Sequence, residues 1–377
     1  MLELLAFLGD FTLRNVMLGA ALLGVTSGVL GCFATLRQQS LLGDTLSHAA
    51  LPGVVLGFLV AGSRQLLPIL IGALISGALA ALFMILLTRR SRLKTDAALG
   101  SALSIFFAIG LVLLTYVGNQ NNAGQAGLDA FLFGQAASIL PSDVLVMAVI
   151  SSFALGLVII FWKEFQVMTF DPGFAASLGF PVLILEIGMT VMIAFAIVIG
   201  LQLVGVVLMA SMLIAPAAAA RQWSKTLVQM VWLAAFFGAL SGVVGSLISA
   251  VQRGLATGPL IIIVASLIVL VSLLLAPERG LIWATFEARR NNFQLHSQQI
   301  LVDLYKLSQQ HHDPAYLSEL GMLNSYYGHN TLWLLKRLET KGFVKADTHM
   351  REEGMHWQLT PSGLEEAERA LANLGRQ

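Results

Sequence analysis

The chain has 377 residues, of which 57% are hydrophobic and 11% charged, with a formal net charge of +1. A mean hydropathy of +0.80 excludes a water-soluble globular protein, in which about a quarter of the residues are charged; lipid is the solvent that fits this composition. The single cysteine, Cys32, excludes an intramolecular disulfide framework.

The first residues, MLELLAFLGDFTLRN, carry no basic start and no small-residue cleavage site, so no cleavable leader is expected. A membrane-spanning helix needs about 20 mostly apolar residues. Nine segments meet that condition: 14–36, 42–61, 66–88, 98–117, 141–162, 183–200, 203–220, 227–251 and 259–276. Gly24-x-x-x-Gly28 in the first allows close helix approach.

The second segment, in LLGDTLSHAALPG, places Asp44 and His48 four residues apart. On a helix both side chains fall on one face, and a carboxylate with an imidazole suits Mn²⁺, Fe²⁺ or Zn²⁺. Two ligands do not close a site; a second copy of the helix from a partner subunit would double them. The hydroxyl of Ser47 projects about 100° away from His48. The other reading is structural: Asp44 caps the helix start after Gly43, and His48 hydrogen-bonds to it.

Orientation follows from basic residues, which favour the cytoplasm. TRRSRLKTD gathers Arg89, Arg90, Arg92 and Lys94 in one short loop, and ARQWSK adds Arg221 and Lys225 to another. The segment 118–140 has no Lys or Arg and reads as external. With nine spans the N-terminus is outside and the tail inside; a re-entrant segment at 183–200 or 203–220 would change that parity. Intramembrane ionisable groups are candidates for function. Besides the Asp/His pair there is Glu186, read as a buried hydrogen-bond partner. Met189, Met192, Met209, Met212 and Cys32 read as gap-filling core residues, and Pro216 as a kink at a helix end.

Polar residues become frequent after about residue 277, and six of the seven histidines lie in this tail. The transmembrane domain is therefore placed at 1–280 and a small α+β domain at 286–377. The tail pattern predicts a helix in HSQQILVDLYKLSQQ, a short helix in AYLSELGML and a third in GHNTLWLLKRLETKGF with Gly342 past its end. A β-hairpin turning near 351–354 and a final helix from Pro361 follow.

Three stretches resemble one family. RQQSLLGDTLSHAALPG is similar to a segment of the permease subunits of bacterial zinc/manganese/iron ABC importers, through Arg37, Ser40, Leu41, Gly43, Asp44, Ser47, His48, Leu51, Pro52 and Gly53. FDPGFAASLGFPV resembles the family's short cytoplasmic helix that docks on the ATPase, through Phe170, Asp171, Ala175 and Gly179; a carboxylate usual two residues after the acid is replaced here by Gly173. LVGVVLMASMLIAPAAAARQ is similar to a late span of these permeases, and the likeness covers roughly residues 10–276.

The resemblance implies an all-α multi-span bundle of the type II ABC importer kind in the bacterial inner membrane, dimeric with itself or a paralogue. It also implies a metal-binding solute-binding protein outside, a separate ABC ATPase inside, and Asp44 and His48 on the metal pathway. No cofactor is expected to be tightly bound; the divalent cation is cargo, with manganese ahead of zinc and iron. No G-x-x-x-x-G-K-[ST] loop occurs, so the chain is not expected to be the ATPase. The tail resembles a winged helix-turn-helix, which would put Asn330, Thr331, Lys336 and Arg337 on or near a reading helix. From Glu287 on there are ten Lys/Arg and eleven Asp/Glu, so DNA is not the expected partner and a regulatory or docking role is preferred. The rival readings are an ion-coupled secondary transporter and a membrane-tethered metal-responsive regulator.

Overall fold

The computed structural model describes residues 11–62, 66–119, 134, 139–251, 255–277, 280–313, 316–327, 331–347 and 355–374. It forms two compact units, 1–281 and 282–377.

The first unit is helical throughout its described residues. In chain order it contains α1 (Phe11–Leu36), α2 (Leu42–Ala61), α3 (Leu66–Arg90), α4 (Thr95–Gly118) and α5 (Pro141–Ile160). The short α6 (Trp162–Phe170) and α7 (Pro172–Ser177) precede α8 (Val182–Leu203), α9 (Val206–Trp223), α10 (Leu227–Val251) and α11 (Thr257–Leu275). Among the described residues, helices long and apolar enough to cross a bilayer are α1 to α5, α8, α10 and α11. The chain is a multi-pass membrane protein.

The ninth predicted segment, 203–220, corresponds to α9. The chain breaks at Gly205, whose φ of +89° only glycine adopts readily, and the helix that follows is α9. It runs 18 residues to Arg221, Gln222 and Trp223, so the predicted segment is displaced by three residues rather than absent. Met209, Met212, Leu213, Ala217, Ala219 and Ala220 on it are buried. It packs on other helices, and its small residues let them approach closely. Pro216 stands inside α9, not at its end.

Helices in lipid gain little from hiding apolar surface, so close contact between backbones has to hold them. On α1 and α10 this is literal. A Cβ at Gly24 would lie 2.1 Å from the Gly238 carbonyl oxygen, and one at Gly28 2.4 Å from that of Ala234. The Gly24-x-x-x-Gly28 spacing therefore marks a real contact face. The α2–α3 pair repeats the device at Gly53 and Gly72, and the Ser76 hydroxyl donates to the Ala49 carbonyl at 2.6 Å. Met189, Met192, Met209 and Met212 are all buried in the core as expected, and Cys32 donates to the Gly28 carbonyl.

The second unit holds most of α12 (Leu281–Gln310), then β1 (Ser318–Glu319), α13 (Leu320–Tyr327), α14 (Leu332–Thr340), β2 (Val344–Asp347), β3 (His356–Leu359) and α15 (Pro361–Leu374). The three strands form one antiparallel sheet in the order β1-β3-β2, with Ser318 opposite Trp357 and Val344 opposite Leu359. β1 is absent from the sequence reading, which placed a helix from 315: two residues are too few to show a period of two. The turn of the hairpin lies outside the described residues. Gly342 ends α14 as expected, with φ +77° and its N–H donating to the Glu339 carbonyl.

Trp357 on the central strand is the centre of this core, buried against Ile300, Leu304, Leu335 and Leu338. Trp357→Ala is expected to cost about 3–5 kcal/mol, read as early melting of the second unit while the membrane unit is unaffected. On α12 the Tyr305 hydroxyl donates to Glu368 of α15 at 3.0 Å, which raises the phenol above its ordinary pKa.

Candidate functional site

α2 is held on three sides. Gly43 lets it approach α9, where a Cβ would stand 3.0 Å from Leu213 and 3.2 Å from the Ala210 Cα. The Thr45 hydroxyl donates to the Leu99 carbonyl of α4 at 3.3 Å, and α3 lies against Gly53. These contacts fix the rotation of α2 and so the direction of its polar residues.

Asp44 and His48 meet as the spacing requires: His48 Nε2 lies 3.3 Å from Asp44 Oδ1, with side-chain exposures of 18% and 37%. The imidazole packs edge-on against Phe107 of α4, with ring centroids 4.7 Å apart. His48 Nδ1 is buried with no hydrogen-bond partner. Asp44 is not the helix cap. α2 starts at Leu42 with Leu41 in the cap position, and Asp44 stands inside the first turn. Ser47 is fully buried and donates to the Gly43 carbonyl at 2.6 Å, so its hydroxyl is not offered to a ligand. Among the described residues no three His, Cys, Asp or Glu side chains converge as a metal site would need. The pair by itself offers one carboxylate and one imidazole. An apolar recess of about 490 Å³ between α1, α5 and α10, lined by Val25, Leu155, Trp162 and Trp232, has no ionisable lining residue and suits no cation.

Glu186 does more than the sequence suggested. Its carboxylate accepts from Arg37 Nη2 at 2.6 Å and from Arg89 Nη2 at 3.0 Å, with Arg37 and Glu186 only 13% and 19% exposed. Arg37 follows α1, Arg89 ends α3 and Glu186 stands in the second turn of α8. These three helix ends therefore share one end of the bundle, the end that carries the basic segment 89–94. The sequence signal was present in Arg37, but nothing local tied it to a residue 149 positions away.

The α6–α7 turn carries the four residues matched by resemblance, in different roles. Asp171 caps α7, its carboxylate accepting the Phe174 N–H at 2.9 Å. Ala175 is buried, and Gly179 has φ +84°, which reverses the chain after α7. Phe170 is exposed, and with it Phe174 and Leu178, which the sequence reading missed. The spacing of four from Phe170 was the available signal. All three are large apolar side chains exposed on this turn.

In the second unit Thr331 is fully buried; its N–H and its hydroxyl both donate to Asn324 Oδ1, at 2.7 and 2.8 Å. It joins α13 to α14. Lys336 and Arg337 are exposed on α14, and the Arg337 guanidinium lies 5.6 Å from the Trp333 ring centroid. Asn330 lies outside the described residues.

The bundle sets one carboxylate–imidazole pair on a packed helix and leaves Phe170, Phe174 and Leu178 exposed at the α6–α7 turn. The chain belongs to the ABC 3 transport family, whose profile matches residues 10–276. It is 42% identical over 350 residues to a manganese transport system membrane protein, MntC, of Bacillus subtilis, covering 93% of this chain and 79% of that one. It is 44% identical to a zinc transport system membrane protein, TroC, of Treponema pallidum, covering 76% of this chain and 96% of that one. The first match runs well into the second unit; the family profile stops before it. Among solved structures the chain is similar to PsaBC from Streptococcus pneumoniae in complex with Fab, with a TM-score of 0.65 and 32% identity over 74% of this chain and 96% of that chain. An inward-facing putative metal-chelate type ABC transporter shares the fold, with a TM-score of 0.54 at 15% identity over 69% of this chain and 85% of that one.

Proposed function

We propose that this chain is the membrane-spanning subunit of an ATP-driven importer of a divalent transition metal in the bacterial inner membrane, with manganese first and zinc and iron next. The observation that carries this is the Asp44/His48 pair, 3.3 Å apart on a helix fixed from three sides. A second permease copy or a paralogue completes the cation site with its own pair, because two ligands are too few for a first-row metal. The names of relatives support the cargo class: manganese and zinc as above, and a chelated iron transport system membrane protein, YfeD, of Yersinia pestis at 35% identity over 262 residues.

The driving ATPase is a separate subunit that seats the Phe170–Phe174–Leu178 ledge in an apolar groove, and a solute-binding protein delivers metal from outside. The end of the bundle that gathers Arg37, Arg89 and Glu186 faces the cytoplasm. The second unit, from 286 on, is a winged-helix-like cytoplasmic domain with a regulatory or docking role. Thr331 is unavailable to DNA, and the acidic and basic residues of this unit nearly balance.

Uptake of manganese, zinc and iron in cells lacking other importers, with the neighbouring ATPase and solute-binding protein supplied, tests the reading. ATP-dependent uptake of a divalent metal is expected; uptake that persists without the ATPase would instead indicate an ion-coupled carrier. In the same cells Phe174→Asp is expected to lower uptake by about tenfold or more, since a charge in the centre of an apolar contact is left desolvated. Co-purification of the ATPase should fall with it.

A further inference from the structure

We propose that Glu186, gripped by Arg37 and Arg89, is the strut through which the docking turn α6–α7 sets the position of α2 and its Asp44/His48 pair. The inference rests on the permease reading and assigns a positioning role to three residues outside the cation site.

The connection is short at every step. Gly179 N–H donates to the Ala176 carbonyl and Phe180 N–H to that of Ala175, so α7 closes on itself before the chain enters α8 at Val182. Glu186 follows one turn later. A displacement of α7 therefore reaches Glu186 through a bonded turn and a rigid helix, with no slack segment between.

From Glu186 the contact leaves α8 in two directions. Arg89 ties it to the end of α3, and Arg37 to the link between α1 and α2. That link is stiff. Arg37 N–H donates to the Phe33 carbonyl, Gln39 N–H to that of Ala34 and Leu42 N–H to that of Gln39. Gln38 between them has φ +57°, a left-handed conformation that a non-glycine residue keeps only where its surroundings hold it. Arg37 is held further by Met189, whose sulfur lies 3.9 Å from Nη1. Asp44 follows in the first turn of α2. A pull on Arg37 thus moves the start of α2, and the cation pair with it.

The chemistry suits a device that must give and reset. One carboxylate serves two guanidiniums, so the cluster carries an excess positive charge. Glu186 can trade the better-exposed Arg89, at 47% exposure, for water while keeping Arg37. An apolar contact at this place would transmit force but offer no such alternative partner.

The test is ATP-driven Mn²⁺ uptake and ATP hydrolysis measured together in proteoliposomes holding the permease, its ATPase and its solute-binding protein. Glu186→Gln keeps the shape and removes the charge. The expected result is continued ATP hydrolysis with about a tenfold fall in metal moved per ATP, within the usual range of coupling between sites. A ratio equal to that of the unaltered protein overturns the proposal. So does a proportional loss of both activities, because that marks a structural role. If Glu186→Gln fails to fold, Arg89→Gln, which removes one arm at a half-exposed position, decides: a severalfold fall in the ratio supports the strut and an unchanged ratio overturns it. Absence of Mn²⁺, zinc and iron uptake in the unaltered complex would count against the permease reading itself and not against the strut.

Discussion

Metal uptake by cells whose importer carries His48→Ala is expected to fall by at least about 100-fold, and the same is expected of Asp44→Ala. Outer-sphere partners of metal ligands are worth 10- to 100-fold in affinity or activity, so removing a direct ligand should exceed that range. In a symmetric dimer each substitution removes two of four ligands at once. The structure separates this loss from misfolding. Asp44 does not cap α2, and His48 meets Phe107 at the edge of its ring. Asp44→Asn, which keeps the shape and removes the charge, should fold normally and still fail to transport. Radioactive manganese uptake beside thermal melting of the purified variant reads both quantities. Retained uptake of all three metals in both alanine variants, with normal folding, removes Asp44 and His48 from the pathway.

The second large effect is on folding. Gly53→Val is expected to destabilise the membrane unit by at least about 3 kcal/mol, at the upper end of overpacking costs. A Cβ there would stand 2.0 Å from the Gly72 carbonyl oxygen and 2.7 Å from the Ser76 Cβ. The obstruction is backbone, so no rotamer change relieves it, and α2 must separate from α3. That would also break the Ser76–Ala49 hydrogen bond. Gly156→Ala on α5 is the control. Nothing lies within 4 Å of its Cβ position, and alanine favours a helix over glycine by about 1 kcal/mol, so this variant should fold as well as the parent or better. Melting of the two proteins in detergent checks the contrast, and equal stability would mean that α2 and α3 do not touch at Gly53.

Much of the bundle was legible because lipid imposes a single rule: apolar runs of about 20 residues become spans. The limits read for 42–61 and 227–251 coincide with α2 and α10, and the others shift by three residues or fewer. The rule also caught α9, displaced by three residues where Gly205 separates it from α8. It was silent on β1, whose two residues owe their conformation to the partner strand. In α6–α7 the likeness pointed to Phe170, Asp171, Ala175 and Gly179; the fold uses Asp171 as a cap, buries Ala175, and beside Phe170 also exposes Phe174 and Leu178.

By itself the sequence determined that the chain lives in a membrane, where nearly all its spans run, and that Asp44 and His48 share a helical face. Each follows from composition or from a period of 3.6 residues, which are local properties. Only the tertiary structure decided that Gly24 and Gly28 lie against α10, that Ser47 is turned away from any cation, and that Glu186 joins Arg37 to Arg89. Contacts between residues far apart in the chain depend on how helices rotate and approach, and no local pattern of hydropathy encodes those angles.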